Sequence, residues 1–248
     1  MNRFFVKPED VLAGEIVIKS REDIRHITKV LRLKKGAVLE VSDSEKWEYE
    51  VRLGFVSDGE LRADIIDKRR FSAEPSLKVT LFQGIPKQGK METVIQKSVE
   101  MGVHEIVPVF TVRTVVSHGE NSARKTERWQ KIAGEAVKQC RRGIVPKVGE
   151  SVSFGRMADR FEAGLFDVVL FPYENEETVS IKSVLRNLKE KPSNMAVIIG
   201  PEGGFSDDEA QTLKNAGARS VSLGKTILRT ETAGPVAIAM VMYELELQ

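Results

Sequence analysis

The sequence of 248 residues contains a single cysteine, Cys140, and three histidines. One cysteine cannot close an intrachain disulfide, so a small disulfide-stapled secreted fold is excluded. His26, His104 and His118 lie far apart, with no cysteine or second histidine at ligand spacing, so we predict no metal site. The longest apolar stretch, residues 235–243, is about half of the roughly 20 residues that a membrane helix needs, and the chain does not begin with a signal-peptide pattern. We therefore expect a cytoplasmic protein without a membrane partner.

Aromatic residues make up only 6% of the chain, and the charges nearly cancel, with 38 basic and 36 acidic residues and a net charge of +2. A uniformly basic protein is excluded. Hydrophobic residues reach 41%, which is enough for a sizeable core and excludes wholesale disorder. The basic residues are clustered, because residues 21–35 hold six against two acids and residues 113–147 hold nine against three. Such runs are typical of solvated helix faces, but they also provide the clustered charge that phosphate contacts require.

The hydrophobic pattern changes near residue 71 and divides the chain into two parts. Four segments before this point alternate apolar with polar side chains and predict strands, at residues 15–19, 38–43, 47–56 and 61–70. A helical pattern spans residues 21–33. These elements predict a small β-barrel. Residues 71–76 are small, polar and proline-containing, as expected of a linker, and we place the domains at residues 1–72 and 73–248.

Beyond the linker, predicted strands alternate with predicted helices. The strands lie at residues 77–84, 105–110, 167–171, 195–200 and 220–223. The helices lie at residues 90–102, 124–142, 181–188, 206–215 and 235–247. The helix at 206–215 begins with a capping box, and Cys140 falls in the apolar stripe of the helix at 124–142, which predicts a core thiol. This alternation predicts an α/β domain with a mainly parallel sheet.

Residues 84–91, Gly-Ile-Pro-Lys-Gln-Gly-Lys-Met, resemble a phosphate-binding loop between a strand and a helix. Met91 occupies the position of the hydroxyl residue that ligates Mg²⁺, and no later strand ends in the expected acidic residue. These residues disfavour the alternative of an NTPase. A basic loop that carries Lys87 and Lys90 is the simpler interpretation.

Two glycine-bearing segments each lie between a predicted strand and a predicted helix. Residues 200–204 read Gly-Pro-Glu-Gly-Gly, and residues 222–233 include Gly224, Arg229 and Glu231. Glycine turns in this position let backbone amides approach a ligand. On adjacent strand ends the two loops would face one crevice, where open α/β sheets bind ligands. Arg229 and Glu231 lie between apolar residues, where a charge is costly unless it serves an ion pair or chemistry.

The segments Ile-Gly-Pro-Glu-Gly-Gly-Phe-Ser at 199–206 and Leu-Gly-x-x-Ile-Leu-Arg-Thr-Glu-Thr-Ala at 223–233 strongly resemble the bacterial 16S ribosomal RNA uridine-N3 methyltransferases. This family belongs to the SPOUT class of trefoil-knotted enzymes that use S-adenosylmethionine. The resemblance covers nearly the whole chain and includes residues 26–32, 83–87, 96–103 and 128–132. The chain departs from the family pattern at residues 140–142 and at Gly234-Pro235, where proline at the first position of a helix would be tolerated.

The resemblance implies a PUA-like β-barrel at the N-terminus, a trefoil-knotted SPOUT α/β domain at the C-terminus, and a homodimer with its sites at the interface. The implied reaction is S-adenosylmethionine-dependent methylation of N3 of a uridine in 16S rRNA, uracil 1498 of the decoding region, within the small ribosomal subunit. The implied cofactor-binding residues are Gly200, Pro201, Glu202, Gly203, Gly204, Leu223, Gly224, Ile227 and Leu228.

Uracil N3 is protonated at neutral pH, so its methylation requires stabilisation of the negative charge that develops on the ring. Arg229 is the candidate cation, because a guanidinium donates to a carbonyl oxygen with fixed geometry. Glu202 and Glu231 are candidates to orient it or to accept the proton, and either role suits either carboxylate. An RNA-binding module without catalysis is the alternative, although it leaves the two glycine loops with no small ligand to hold. The candidate RNA contacts are His26, Arg32, Lys34, Lys87, Lys90, Arg113, Arg141 and Arg142.

Overall fold

The computed structural model describes residues 3–71, 74–87, 89–115 and 122–247. The chain forms two compact units. The first consists of Met1–Glu74 with Val137–Val145, and the second of Pro75–Ala136 with Pro146–Gln248. The boundary placed between residues 72 and 73 falls on two residues outside the described ranges. The grouping of residues 137–145 with the first unit was not predicted from the sequence.

The first unit is built on a five-stranded sheet in the order β1-β3-β4-β5-β2. Its strands are β1 (Arg3–Phe5), β2 (Glu15–Ile18), β3 (Val38–Ser42), β4 (Trp47–Ser57) and β5 (Glu60–Arg70). β1 pairs with β3 in parallel, and the other neighbours are antiparallel. All four predicted strands are present. β1 was missed, because three residues are too few to show alternation.

The predicted helix at 21–33 is only partly regular. It forms as α1 (Arg21–Arg25), capped by the Ser20 side chain, and continues as a π-helical turn, His26–Val30. Ile27 in this turn is fully buried and packs into the core of the sheet. The apolar spacing therefore located the segment correctly but could not distinguish α from π winding.

Buried polar contacts hold residues 137–145 in the first unit. The guanidinium of Arg3, only 8% exposed, donates to the carbonyls of Arg141 and Arg142 at 2.7 and 3.0 Å. The Glu74 carboxylate pairs with the Arg142 guanidinium at 2.8 Å and accepts the N–H of Gly143 at 2.7 Å. Buried charges are tolerated only when they are paired and hydrogen-bonded, so these contacts fix the segment.

The second unit contains a seven-stranded, fully parallel sheet in the order β12-β10-β11-β6-β7-β8, with β9 also paired to β7. Its strands are β6 (Lys78–Gly84), β7 (Glu105–Phe110), β8 (Lys147–Val148), β9 (Val152–Ser153), β10 (Val168–Pro172), β11 (Asn194–Ile199) and β12 (Arg219–Val221). The predicted α/β class with a parallel sheet is confirmed. Because the strands are parallel, their carboxyl ends meet at one edge of the sheet.

The longer helices of the chain are α2 (Lys90–Glu100), α3 (Ser122–Cys140), α4 (Phe154–Glu162), α5 (Ile181–Arg186), α6 (Asp207–Asn215) and α7 (Thr230–Leu245). α4, which contains Gly155, was not predicted. α7 begins at Thr230, so Pro235 lies inside it rather than at its first position, and that expectation is wrong. Pro235 has no N–H to donate to the Glu231 carbonyl one turn earlier. Cys140 is half-buried rather than a core thiol.

The core of the second unit is rich in phenylalanine despite the low aromatic content of the chain. Phe82 and Phe171 are fully buried on the central strands. The ring of Phe161 on α4 meets that of Phe82 edge-to-face, with centroids 5.2 Å apart. Within the described ranges, no helix combines the length and apolar character needed to cross a bilayer.

Candidate functional site

A cleft of about 1330 Å³ opens at the carboxyl edge of the parallel sheet. Residues that follow three strands line it, from 173–182 after β10, 200–205 after β11 and 222–230 after β12. The two glycine loops were expected on adjacent strands, but β10 lies between β11 and β12, so that detail is wrong. Both loops still line one cleft, because all three strands end at the same edge.

The turn after β11 is tight and leaves little room for side chains at its glycines. A Cβ on Gly200 would lie 3.1 Å from the backbone of Gly204. Gly204 has a φ of +66°, and a Cβ there would collide with the Glu174 carboxylate. The N–H of Gly204 donates to the Pro201 carbonyl at 2.9 Å, and Ser206 then caps α6 in the predicted capping box. The backbone of this turn therefore forms a wall of the cleft.

The segment after β12 is exposed where the sequence suggested burial. Ile227 is 86% exposed, and Gly224 has a φ of +145°. Arg229 is the exposed residue that precedes the first turn of α7, and its guanidinium has no hydrogen bond or ion pair within the described part of the chain. The expectation that apolar neighbours bury Arg229 is wrong, because Ile227 projects outward. Glu231 fits that expectation better, since its side chain is only 19% exposed.

A buried hydroxyl connects the two loops to the sheet. The side-chain amide of Gln83, at the end of β6, donates to Thr230 Oγ1 at 2.9 Å. Thr230 Oγ1 donates in turn to the Gly200 carbonyl at 2.7 Å. β6 also approaches the turn directly, because a Cβ on Gly84 would lie 2.6 Å from the backbone nitrogen of Pro201. The start of α7 and the turn after β11 are thus fixed to one strand end.

Residues 84–91, the segment that resembles a phosphate-binding loop, bind the carboxylate of Glu202. Glu202 Oε1 accepts the backbone N–H of Lys87 and the Nζ of Lys90, both at 3.0 Å. Lys90 Nζ also lies 3.5 Å from Glu231 Oε2. A phosphate at these groups would have to displace Glu202. Gln88, within the same segment, lies outside the described residues.

Lys90 and Glu202 stabilise each other's charges. The hydrogen bond to Glu202 raises the pKa of Lys90 above its ordinary value, against the smaller effect of burial. Burial raises the pKa of Glu202, but the hydrogen bonds from Lys90 and from backbone N–H groups outweigh it, so the pKa of Glu202 lies below its ordinary value. Both groups are therefore charged at neutral pH.

Glu176, on the β10 side of the cleft, was not singled out from the sequence. Its carboxylate accepts the hydroxyl protons of Ser220 at 2.6 Å and Thr178 at 2.8 Å, together with the N–H groups of Thr178 and Val179. These hydrogen bonds lower the pKa of Glu176 to about 2. The cluster of acidic residues directly after a buried strand was the available signal.

The RNA contacts predicted in the first unit differ in exposure. Three of them are exposed: Arg32, Lys34 and Arg141. His26 is half-buried, with its ring edge-to-face against Phe4. Arg142 is only 7% exposed and paired with Glu74, which argues against an RNA contact at this guanidinium.

The RNA contacts predicted in the second unit all lie beside the cleft. The Lys87 side chain is exposed, whereas Lys90 is engaged with the two glutamates. Arg113 donates to the Gly203 carbonyl at 2.6 Å. A Cβ on Gly203 would lie 3.2 Å from the Arg113 side chain, so this glycine lets Arg113 cross the turn.

No group of three or more potential metal ligands occurs among the described residues, a set that does not include His118.

We expect Lys90→Met to lower the melting temperature at neutral pH, because it leaves Glu202 and Glu231 as neighbouring unpaired carboxylates. The pKa of Glu202 is depressed in the folded chain, so its contribution is present above the ordinary glutamate value and disappears as the pH falls. The difference from the unmodified chain should therefore stay constant from pH 7 to about pH 4.5, the ordinary glutamate value, and narrow as the pH falls from there to about pH 3. Thermal melts across this range measure it.

Lys97→Met is the matched control, since Lys97 pairs with Glu100 on the exposed side of the same helix. It should change the melting temperature little at any pH. Equal effects of the two substitutions would contradict the role assigned to Lys90.

Two family comparisons match most of the chain. Residues 73–242 match the RNA methyltransferase domain, and residues 20–70 match the RNA methyltransferase PUA domain. The ribosomal RNA small subunit methyltransferase E of Bacillus subtilis (strain 168) is 31% identical over 253 residues, covering 100% of this chain and 98% of that protein. The protein of the same name from Mesomycoplasma hyopneumoniae (strain 232) is 34% identical, covering 94% of this chain and 95% of that protein.

Solved structures of similar chains show the same architecture. The ribosomal RNA small subunit methyltransferase E from Neisseria gonorrhoeae, bound to S-adenosyl methionine, superposes with a TM-score of 0.85 at 30% identity, covering 98% of this chain and 97% of that chain. A Legionella pneumophila protein in complex with the cofactor SAM gives a TM-score of 0.84 at 30% identity, covering 97% and 96%. Since the similarity spans both units of the chain, the protein belongs to the ribosomal RNA small subunit methyltransferase E family, with an RNA methyltransferase PUA domain followed by an RNA methyltransferase domain.

Proposed function

We propose that this chain transfers a methyl group from S-adenosylmethionine to N3 of a uridine in 16S rRNA, uracil 1498 of the decoding region. The reaction belongs to maturation of the small ribosomal subunit in the cytoplasm. The observation that carries the proposal is the cleft at the carboxyl edge, lined by both glycine loops. A relative of 30% identity over nearly its whole length is bound to S-adenosyl methionine, and the relatives' names specify small-subunit rRNA.

The walls of the cleft fit this cofactor. Its volume of about 1330 Å³ exceeds the roughly 300–1000 Å³ of ordinary small-molecule pockets. Glycines expose backbone groups for an adenine and a methionine moiety, and Ile227 with Leu228 adds apolar surface. Glu176 is ionised at neutral pH and gives this side of the cleft a negative charge, while its oxygens are engaged by Ser220, Thr178 and Val179. When bound, S-adenosylmethionine supplies a methyl group on positively charged sulfur. The proposed binding residues are Gly200, Pro201, Glu202, Gly203, Gly204, Leu223, Gly224, Ile227 and Leu228.

The residues at the start of α7 act on the uridine in the proposed reaction. Uracil N3 must be unpaired and deprotonated before it attacks a methyl group. Arg229, whose exposed guanidinium is uncommitted within the described part of the chain, stabilises the negative charge on the ring. Glu202 is occupied by Lys87 and Lys90, so we assign it to holding the turn. Glu231 is the carboxylate that orients Arg229 or accepts the proton.

Exposed apolar side chains beside the cleft support a homodimer. Ile227 is 86% exposed and Tyr243, near the end of α7, is 70% exposed. Apolar groups clustered at a cleft are typical of a surface that a partner covers. We expect Tyr243→Glu to yield a monomer in analytical ultracentrifugation, whereas Leu165→Glu, at a residue 57% exposed outside the cleft lining, should not. An unchanged oligomeric state would contradict the proposed interface.

We propose the trefoil knot for the second unit on the resemblance of residues 199–206 and 223–233 to the SPOUT class. The hydrogen bonds of Thr230 to Gln83 and to the Gly200 carbonyl hold the segment after β12 against β6 and the turn after β11. A knotted chain stretched in optical tweezers falls short of its full contour length, because the tightened knot retains residues.

For the first unit we propose a closed barrel, in which the two outer strands of the sheet, β1 and β2, lie next to each other. Nuclear Overhauser contacts between β1 and β2 are then expected. Separation of the two strands would exclude the closed barrel.

We expect S-adenosylmethionine and S-adenosylhomocysteine to raise the melting temperature, because a ligand that binds only the folded chain stabilises it. Ile227→Asp should weaken the binding roughly ten-fold by removing apolar contact surface. Leu165→Asp is the matched exposed control and should bind normally. If neither compound raises the melting temperature, the proposed cofactor is rejected. A rise in melting temperature with ATP and Mg²⁺ alone would favour an NTPase instead.

We expect Arg229→Ala to reduce single-turnover methylation of small subunits from a strain lacking the enzyme by about 10²–10³-fold while S-adenosylmethionine binding persists. The methyl group is mapped by primer extension, since N3 lies on the Watson–Crick edge. Arg186→Ala is the matched control, because Arg186 lines the same cleft but is paired with Glu244 at 2.8 Å. Normal methylation by Arg229→Ala would reject its assignment, and modification at another nucleotide would reject the proposed target.

A further inference from the structure

A hairpin end in the first unit displays an aromatic ring in water. Phe55, near the end of β4, is 66% exposed, and its neighbour Val56 is 48% exposed. The residues just before it alternate, with Val51 and Leu53 buried in the core at 0% and 3% exposure and Arg52 exposed between them. Burial in the core of this unit therefore does not explain the phenylalanine.

A β-bulge aims Phe55 outward. The register of β4 with β5 shifts between Leu53, opposite Ala63, and Val56, opposite Leu61. Gly54 occupies the bulge, and a Cβ there would lie 2.8 Å from the Arg62 carbonyl. Bulges of this kind redirect a side chain and occur next to functional sites. The local backbone thus requires glycine at 54 and presents the following ring to solvent.

A short basic loop, which contains Arg32, Lys34 and Lys35, lies against this ring. The Lys35 ammonium is 3.7 Å from the centroid of the Phe55 ring. Backbone hydrogen bonds join the loop to β4, because Gly36 N–H donates to the Leu53 carbonyl and Leu53 N–H donates to the Ala37 carbonyl, both at 2.8 Å. The loop and the ring are therefore held in one arrangement.

The cations of this loop are not neutralised by acids of the described residues. Arg32, Lys34 and Lys35 are exposed, and none of them forms an ion pair within the described residues. Arg32 also has a φ of +52°, a conformation uncommon outside glycine. Elsewhere in the same unit, exposed cations such as Arg62 and Arg69 pair with glutamates.

The acids of the hairpin turn are engaged with other groups. Asp58 accepts the Ser57 hydroxyl at 3.1 Å, and Glu60 lies 4.0 Å from Arg62. We define the exposed ring, the lysine beside it and the two neighbouring cations of the same loop as the Phe55 platform: Arg32, Lys34, Lys35 and Phe55.

We propose that the Phe55 platform binds single-stranded RNA, with an unpaired base stacked on the face of the Phe55 ring that Lys35 leaves open and the adjoining phosphates contacted by the three cations. Stacking on an aromatic side chain beside a basic groove is the general means of holding unpaired nucleotides. A duplex offers no free base face to the ring. The inference rests on the proposed RNA substrate and specifies where this chain holds unpaired segments of it.

The test measures the binding of the full chain to fluorescein-labelled single-stranded oligouridylate and to a blunt RNA duplex of equal length, by anisotropy at several salt concentrations. Phe55→Ala should raise the Kd for the single strand roughly ten-fold and change the duplex Kd less than about two-fold. Phe55→Trp should retain affinity for the single strand. Binding of the single strand should quench the tryptophan fluorescence of this variant more strongly than that of the unmodified chain.

The cations have a separate signature. Lys34→Ala with Lys35→Ala should reduce the salt slope of single-strand binding by about 0.7 for each phosphate that the variant no longer neutralises. Leu12→Ala and Lys19→Ala are the controls, at an exposed leucine and at a lysine paired with Asp10 in the same unit. Both should bind like the unmodified chain, and thermal melts confirm that every variant is folded.

Equal single-strand affinity of Phe55→Ala and the unmodified chain would overturn the proposal. So would displacement of the oligouridylate by polyglutamate at equal charge concentration, which would indicate an acidic protein partner. S-adenosylmethionine binding by the same variants separates the two proposals. If neither the unmodified chain nor the variants bind S-adenosylmethionine, the proposed reaction is rejected, while the differences in RNA affinity still support the Phe55 platform. If the chains bind the cofactor and Phe55→Ala leaves RNA affinity unchanged, only the Phe55 platform is rejected.

Discussion

The buried hydroxyl of Thr230 is the contact on which the arrangement of the cleft depends. It accepts a hydrogen bond from Gln83 and donates one to the Gly200 carbonyl, so three chain segments distant in sequence meet at one oxygen atom. A buried polar group left without a partner costs roughly 1–3 kcal/mol, which makes each of these segments intolerant of small displacements. The turn after β11 and the first turn of α7 are consequently held in fixed positions relative to each other.

Local sequence patterns identified the parts of the cleft but not how they combine. Glycines at 200, 203 and 204 signalled a turn, in which Gly204 has a positive φ and Gly200 approaches the backbone of Gly204, and the apolar runs identified the parallel strands. The insertion of β10 between β11 and β12 could not be read from these patterns, since strand order depends on long-range pairing. The contact between Lys90 and Glu202, 112 residues apart, was hidden for the same reason.

Exposure was the property that sequence neighbours described least well. Arg229 follows two apolar residues, yet Ile227 projects into water and Arg229 is exposed with it. Arg142 belongs to a basic run but is buried against Glu74. The near-neutral net charge does not distinguish buried, paired cations from exposed, unpaired ones. Arg142 forms an ion pair inside the fold, whereas Arg32 and Lys34 are exposed at its surface. The count of charges matters less than which of them are already satisfied.

The close approach of β6 to the turn after β11 bears on how the family diverges. A side chain at Gly84 would have to occupy the space of the Pro201 backbone, whatever molecule the cleft receives. Descendants of this chain that adopted another substrate would still be obliged to keep glycine there. Retention of that residue among distant relatives would accordingly be a record of inherited architecture, and divergence in activity should be sought at positions such as Ile227, where the backbone imposes no such restriction.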